Sequence, residues 1–272
     1  MSGLRGKLQR AFGVESPAAD SAVGDQLRRH QRRARRALPE VELPDGTVIR
    51  NQRGSCFVRR LEYCEGHAHG DRVLRRPRAD CWPRIAELAR AGDLEIDASQ
   101  CLFLDTETTG LAGGAGTVVF MCGLGFFVDG GLVVEQVFLR AFAEEAAALC
   151  HVARRLCERP VLVTFVGKSF DRHRLAARMT LHRVESTVLT EQHLDLYYLA
   201  RRAYGSRLPN VKLQTVERQV LGLRRQADMP GAEAPYAFLS WLRDRSGRVD
   251  RVFEHNRLDV LSLVALLDAL GS

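Results

Sequence analysis

No stretch of this 272-residue chain is long and apolar enough to cross a bilayer. The longest apolar run, around Thr117 to Val128, is short and broken by glycine, and reads as buried strand. Met1 to Gly13 lacks the continuous apolar core of a secretory leader. Cysteine carries no framework either. The seven residues (Cys56, Cys64, Cys81, Cys101, Cys122, Cys150 and Cys157) are odd in number and scattered, and several sit in apolar runs. That pattern argues for reduced, mostly buried thiols in a cytoplasmic chain with no membrane partner. No internal repeat is visible. The triplet Gly167-Lys168-Ser169 lacks the leading glycine of a Walker A loop. Cys56, Cys64, His67 and His69 fit no usual zinc spacing, and the two histidines would point to opposite sides of a strand.

What is present is a composition of 46% hydrophobic and 27% charged residues, enough to bury a full core. The formal charge of +7 favours polyanionic partners without saying anything of the fold. Residues 1–39 read as a basic, flexible arm. Its Arg28–Arg36 stretch packs six arginines around one histidine, as a solvated run or as a phosphate-contacting segment. Residues 40–97 read as a small α+β segment: a Pro44-Asp45-Gly46 turn between strands, the strand SCFVRRLEY, and a helix in DCWPRIAELARAG. Pro83 suits that helix's first turn and Gly92 its stop.

Residues 98–272 alternate strands and helices. CLFLDTE, TVVFMCGLGFFV and LVVEQVFLR are three strands, the last two joined at Asp129-Gly130-Gly131. Helix, the strand VLVTFVG, a helix, HLDL running into another helix, and a helical tail follow. The expectation is an α/β fold with a mixed central sheet flanked by helices.

Three acidic elements stand out. Asp105 and Glu107 end a buried strand at i and i+2, on one face, with no lysine or arginine beside them. Such a pair repels itself unless a hard cation with a taste for oxygen, Mg²⁺ or Mn²⁺, neutralises it. Asp171 falls in the first turn of a helix just past another buried strand. His255 and Asp259 are i and i+4 on a helix packed against the core, where a charged Asp259 needs a partner.

In order, Asp105-x-Glu107, Phe170-Asp171 and His255-x-x-x-Asp259 resemble the three exonuclease motifs of the DEDD (DnaQ-like) superfamily. The wording LDTETTGL, TFVGKSFD, HLDLYYLARR, KLQTVERQVLG, PGAEAP and HNRLDVLSL is similar to the YprB-like branch of the RNase H-like proteins. The likeness runs from about Cys101 to Leu270, with GHAHG at Gly66 to Gly70 familiar from the preceding segment. It implies an RNase H-like sheet and two Mg²⁺ or Mn²⁺ ions held by Asp105, Glu107, Asp171 and Asp259. It also implies a 3′→5′ exonuclease acting on single-stranded DNA or RNA ends. His255 stands where the family orients or deprotonates the attacking water, at the spacing of the tyrosine branch. Neutral imidazole is a competent base near pH 7.

Thr108 and Gly110 are placed to offer backbone N–H groups to a terminal nucleotide. Lys168 is a candidate phosphate contact, and Asp195 a supporting acid or weak ligand. Val166 departs from the family, which often has asparagine five residues before the second-motif aspartate. A structure-selective endonuclease on the same fold, and a nucleic-acid-binding module without catalysis, are the alternative readings.

Overall fold

A computed structural model describes residues 40–92, 96–110, 116–168, 170–189 and 192–272. The basic arm and its Arg28–Arg36 run lie outside the described residues, as does most of the LAGGAG loop.

Nine strands are described: β1 (Thr47–Asn51), β2 (Gly54–Cys64), β3 (His67–His69), β4 (Arg72–Leu74), β5 (Cys101–Thr108), β6 (Val119–Val128), β7 (Gly131–Phe138), β8 (Val161–Thr164) and β9 (His193–Asp195). The helices are α1 (Trp82–Ala89), α2 (Glu145–Glu158), α3 (Asp171–Leu181), α4 (Leu196–Tyr204), α5 (Leu213–Val220), α6 (Ala234–Asp244) and α7 (Val249–Gly271). Seven strands form one sheet in the order β1-β2-β7-β6-β5-β8-β9, and β3 and β4 form a separate two-stranded ribbon. β5, β6 and β7 make an antiparallel meander, whereas β8 and β9 run parallel to β5. The sheet is therefore mixed, with helices on both faces, as an RNase H-like fold requires. None of the described helices is long and apolar enough to cross a membrane.

Two local expectations differ from the structure. β2 pairs with β7 along eight residues, so the boundary drawn near Asp97 leaves no mark in the sheet. The segment before it supplies β1 and β2, the two strands at one edge of the sheet, and α2 packs on β2. Helix α1 has Pro83 in its first turn, but it stops at Arg90, whose left-handed φ of 55° makes the cap two residues before Gly92.

The packing that positions everything else lies between α7 and the β5–β6 pair. α7 is buried over most of its length, with Val260, Val264 and Leu267 among its fully covered residues. Its approach requires glycine below it. A Cβ at Gly123 would stand 2.4 Å from Asn256 Oδ1 and 2.7 Å from Val260 Cγ2, and one at Gly125 2.7 Å from Val260 Cγ1. Asn256 in turn donates to Asp105 Oδ2 at 2.8 Å and accepts from Gln136 Nε2 at 3.0 Å. Gln136 Nε2 also donates to the Phe253 carbonyl at 2.7 Å, so a buried polar chain ties β7 to α7 and α7 to β5.

Gly123→Ala is expected to push α7 off the sheet and destabilise the protein by about 1–3 kcal/mol. Urea unfolding followed by circular dichroism checks it, as a lowered midpoint at unchanged slope.

Candidate active site

β5 is buried through Leu104, and its last residues reach the sheet's edge, where apolar neighbours end and acids begin. Asp105 pairs with Gly123 and Glu107 with Met121, and a bulge follows between Glu107 and Thr108. Asp105 and Glu107 thus share the α7 face. Thr106, between them, faces the other side of the sheet. There its hydroxyl donates to Asp171 Oδ1, at the first position of α3. Asp171 is brought up to the strand acids from the opposite face, with the helix N-terminus behind it favouring its negative charge.

The third element comes from α7. His255 and Asp259 stand one turn apart, with His255 Nε2 3.6 Å from Asp259 Oδ2. Asp228 Oδ1 lies 2.9 Å from His255 Nδ1. When Nδ1–H donates to that carboxylate, Nε2 keeps its lone pair toward Asp259 and the cleft.

Asp259 does have the partner its burial demands, and it is Arg225. This guanidinium, 5% exposed, donates to Asp259 Oδ1 through Nη2 and to Asp228 Oδ2 through Nη1 at 3.0 Å. It also forks onto Glu217, with Nε to Oε2 at 2.9 Å and Nη2 to Oε1. Glu217 is anchored by Ser262 Oγ at 2.6 Å, and Ser262 by His69 Nε2 at 2.8 Å. Burial works against the charge on Arg225, yet Asp259 and Glu217 outweigh it and push the guanidinium's pKa up.

The electrostatics of the acids follow from this enclosure. Desolvation raises Asp105 and Glu107 well above the ordinary carboxylate range, and the charges of Asp259 and Asp171 push both further. Burial pushes Asp171 up to about 6, against the restraining bond from Thr106. Among the described residues no three His, Cys, Asp or Glu side chains are already closed around one point. Asp105 and Asp259 are instead held by Asn256 and Arg225. The donor set still fits a hard dication. It consists of oxygens alone, the acids crowd one another, and no amine or second guanidinium is bonded to Asp105, Glu107 or Asp171 among the described residues. A cleft of about 580 Å³ opens beside them, lined by Asp105, Glu107, His255 and Asp259 on one side and by Phe170 and Tyr236 on the other. Tyr236 is 74% exposed, an aromatic face available for stacking.

Thr108 and Gly110 line this same cleft, with Thr108 Oγ1 donating to the Gly110 carbonyl at 3.0 Å. Lys168 and Asp195 are not brought to it. They line a separate cavity of about 270 Å³ with His193 and Arg202. The Asp195 oxygens accept from the backbone N–H groups of Val166 (2.8 Å), Lys168 (3.0 Å) and Tyr197 (3.2 Å), so this acid fastens the loop that precedes Asp171. At Val166 that loop takes a left-handed φ of 64°, a conformation a β-branched residue resists and asparagine tolerates. His67 packs edge-on against Tyr63 and His69 bonds Ser262, an arrangement unlike a zinc site.

Four residues of the site had been given no role: Arg225 and Asp228 lie outside every stretch singled out in the sequence, while Glu217 and Asn256 lie within KLQTVERQVLG and HNRLDVLSL. The one advance signal was the charge on Asp259, which had to be met by something; the sequence offered no way to choose Arg225 among the arginines.

A family model described as RNase_H_2, of the RNase_H superfamily, matches residues 102–271. The chain is also similar to the uncharacterized protein YprB of Bacillus subtilis (strain 168), with 32% identity over 220 residues. That alignment covers 78% of this chain and 52% of the relative, so the chain spans about half the length of the protein it matches.

Two measurements bear on this geometry. The raised folded-state pKa of Asp105 means that its contribution to stability, present at acid pH, is lost as pH rises through that pKa. In chelator, Asp105→Asn is therefore expected to melt higher than the parent at pH 8, and the gap to close by pH 4. Val166→Asn is expected to gain about 1 kcal/mol by relieving the left-handed valine, read from chemical unfolding.

Proposed function

The chain belongs to the RNase H superfamily, and on that footing we propose that it is a metal-dependent nuclease of the DEDD type, a 3′→5′ exonuclease releasing nucleoside 5′-monophosphates. Superfamily membership supports phosphodiester hydrolysis of a nucleic acid, and enzymes of this superfamily typically use divalent metals. The observation that supports the finer reading is the cleft at the end of β5 lined by Asp105, Glu107, His255 and Asp259, with Asp171 tied to the same strand end through Thr106.

Asp105, Glu107 and Asp259 would hold one Mg²⁺ or Mn²⁺ ion, and Asp105 with Asp171 a second. Such ions neutralise the crowded carboxylates, acidify a water and stabilise the departing oxygen. The chain's own groups do the rest. Asp228 fixes the His255 ring so that Nε2 faces the cleft and takes a proton from the attacking water. That water's oxygen forms the new bond to phosphorus as the bond to the 3′ oxygen breaks, and the 3′ oxygen takes up a proton from solvent. Phe170 and Tyr236 wall the cleft with rings against which a terminal base can lie. Thr108 and Gly110, which line the same cleft, would meet the terminal nucleotide.

The test is a gel assay of 5′-labelled single-stranded DNA and RNA with Mn²⁺, with and without a blocked 3′ end. A metal-dependent ladder shrinking from the 3′ end is expected, at least about 10³-fold weaker in Asp105→Asn, given what one charge-stabilising group contributes. Cutting of the blocked substrate would replace exonuclease by endonuclease. Intact substrate in all lanes, with metal-independent binding, would replace catalysis by a binding role.

A further inference from the structure

The cavity that Lys168 and Asp195 line, apart from the acid-lined cleft, is cationic and contains a buried imidazole nitrogen without a partner. It measures about 270 Å³, and His193, Tyr198 and Arg202 also line it. His193 is 7% exposed, with Nε2 2.8 Å from the Thr164 hydroxyl. Its Nδ1 is buried and meets no hydrogen-bond partner among the described residues. When Nε2 accepts from Thr164, the ring proton sits on Nδ1 and lacks an acceptor. Burial, followed by the charges of Lys168 and Arg172, pushes His193 down to about 4, so the ring is neutral at pH 7 and stands in a positive field. Lys168 is tied only through its backbone, Arg172 and Arg202 bond the Leu189 and Leu88 carbonyls, and none of the three pairs with an acid among the described residues. Asp195 is the one acid among the described lining residues, and both its oxygens are taken by the N–H groups of Val166, Lys168 and Tyr197.

We propose, resting on the nuclease reading above for a nucleic-acid ligand, that this cavity is a phosphate-binding pocket in which Lys168, Arg202 and His193 hold one oxyanion. A phosphate diester offers acceptor oxygens alone and a charge opposite to that of the wall. Its source is an internal phosphate of the strand whose 3′ end lies in the acid-lined cleft. Tyr198, 37% exposed and part of the same lining, offers a ring to the adjoining base, a contact that a free phosphate would leave unused. The chain itself joins the two sites, since the Lys168 backbone is held by Asp195 and Asp171 follows three residues on. A strand too short to span both sites forgoes the second contact, so the pocket makes affinity depend on strand length.

Two measurements on the full chain in chelator test this. The ring-nitrogen chemical shifts of His193, assigned with His193→Gln, are followed as inorganic phosphate or an oligothymidylate is added. Both probes are expected to move Nδ1 saturably in the parent and to leave it unmoved in Lys168→Gln. Fluorescence anisotropy then compares oligothymidylates carrying one neutral methylphosphonate at successive linkages. One internal linkage is expected to weaken binding to the parent about tenfold, the scale of a hydrogen bond to a charged group, and to make no difference to Lys168→Gln. A general loss of positive charge would not single out one linkage. Lys168→Gln keeps the backbone N–H that Asp195 binds, a thermal melt checks its fold, and Arg202→Gln repeats both arms if it does not fold. Movement by inorganic phosphate with no sensitive linkage keeps the pocket and assigns it to a free phosphate. A His193 ring moved by neither probe, moved equally in Lys168→Gln, or moved by the strand alone with no sensitive linkage overturns the proposal. Mn²⁺-dependent shortening of the strand is read separately. An unmoved ring beside a normal ladder leaves the nuclease reading standing, and a moved ring without a ladder removes that reading and keeps the pocket.

Discussion

The absence of side chains at Gly123 and Gly125 is what the rest of this molecule is arranged around. Without a Cβ at those two positions, α7 lies close enough to β6 for Asn256 to reach across to Asp105. From that contact the remaining distances follow. His255 is one residue before Asn256 and Asp259 one turn beyond His255, so fixing Asn256 fixes where both project. The opposite face of β5 is governed by a different contact, Thr106 to Asp171, and the two together converge three distant segments on one strand end.

Convergence of acids in a half-dry cleft opposes folding, and the structure meets that opposition unevenly. Arg225 offsets the charge of Asp259, Glu217 and Asp228, all on the side of α5 and α7. No guanidinium or amine bonds to Asp105, Glu107 or Asp171 among the described residues, and burial raises the pKa of all three. The backbone shows the same bias toward function over comfort at Val166, where Asp195 holds a left-handed valine in the loop that delivers Asp171. Local strain and unrelieved charge thus gather within one edge of the sheet, while the faces of the sheet are filled by ordinary apolar packing.

Much of the fold was legible because its strands and helices carry clean periods. The runs ending at Glu107, Val128 and Thr164 are short, apolar and bounded by glycine or acid, and they form β5, β6 and β8. The helical tail was equally plain, since His255, Asp259 and their apolar neighbours repeat at helical spacing. What the sequence concealed were relations set by three-dimensional approach. The outer strands β1 and β2 read as a separate segment because nothing local says that β2 will pair with β7, about 75 residues onward. Arg225 was invisible for a similar reason: a buried arginine and a surface arginine are spelled alike until the acids around it are known. Lys168, three residues before Asp171, and Asp195 line a different cavity, because the backbone from Val166 to Lys168 folds onto the Asp195 carboxylate.

The hydrogen bond between Asp105 and Asn256 closes a span of 151 residues. Closing a loop of that length costs more entropy than pairing the local meander of β5, β6 and β7. A chain caught before that docking holds its acids apart on separate segments, without the cluster that would attract a dication. The acid cluster therefore exists only where that long-range contact has been made.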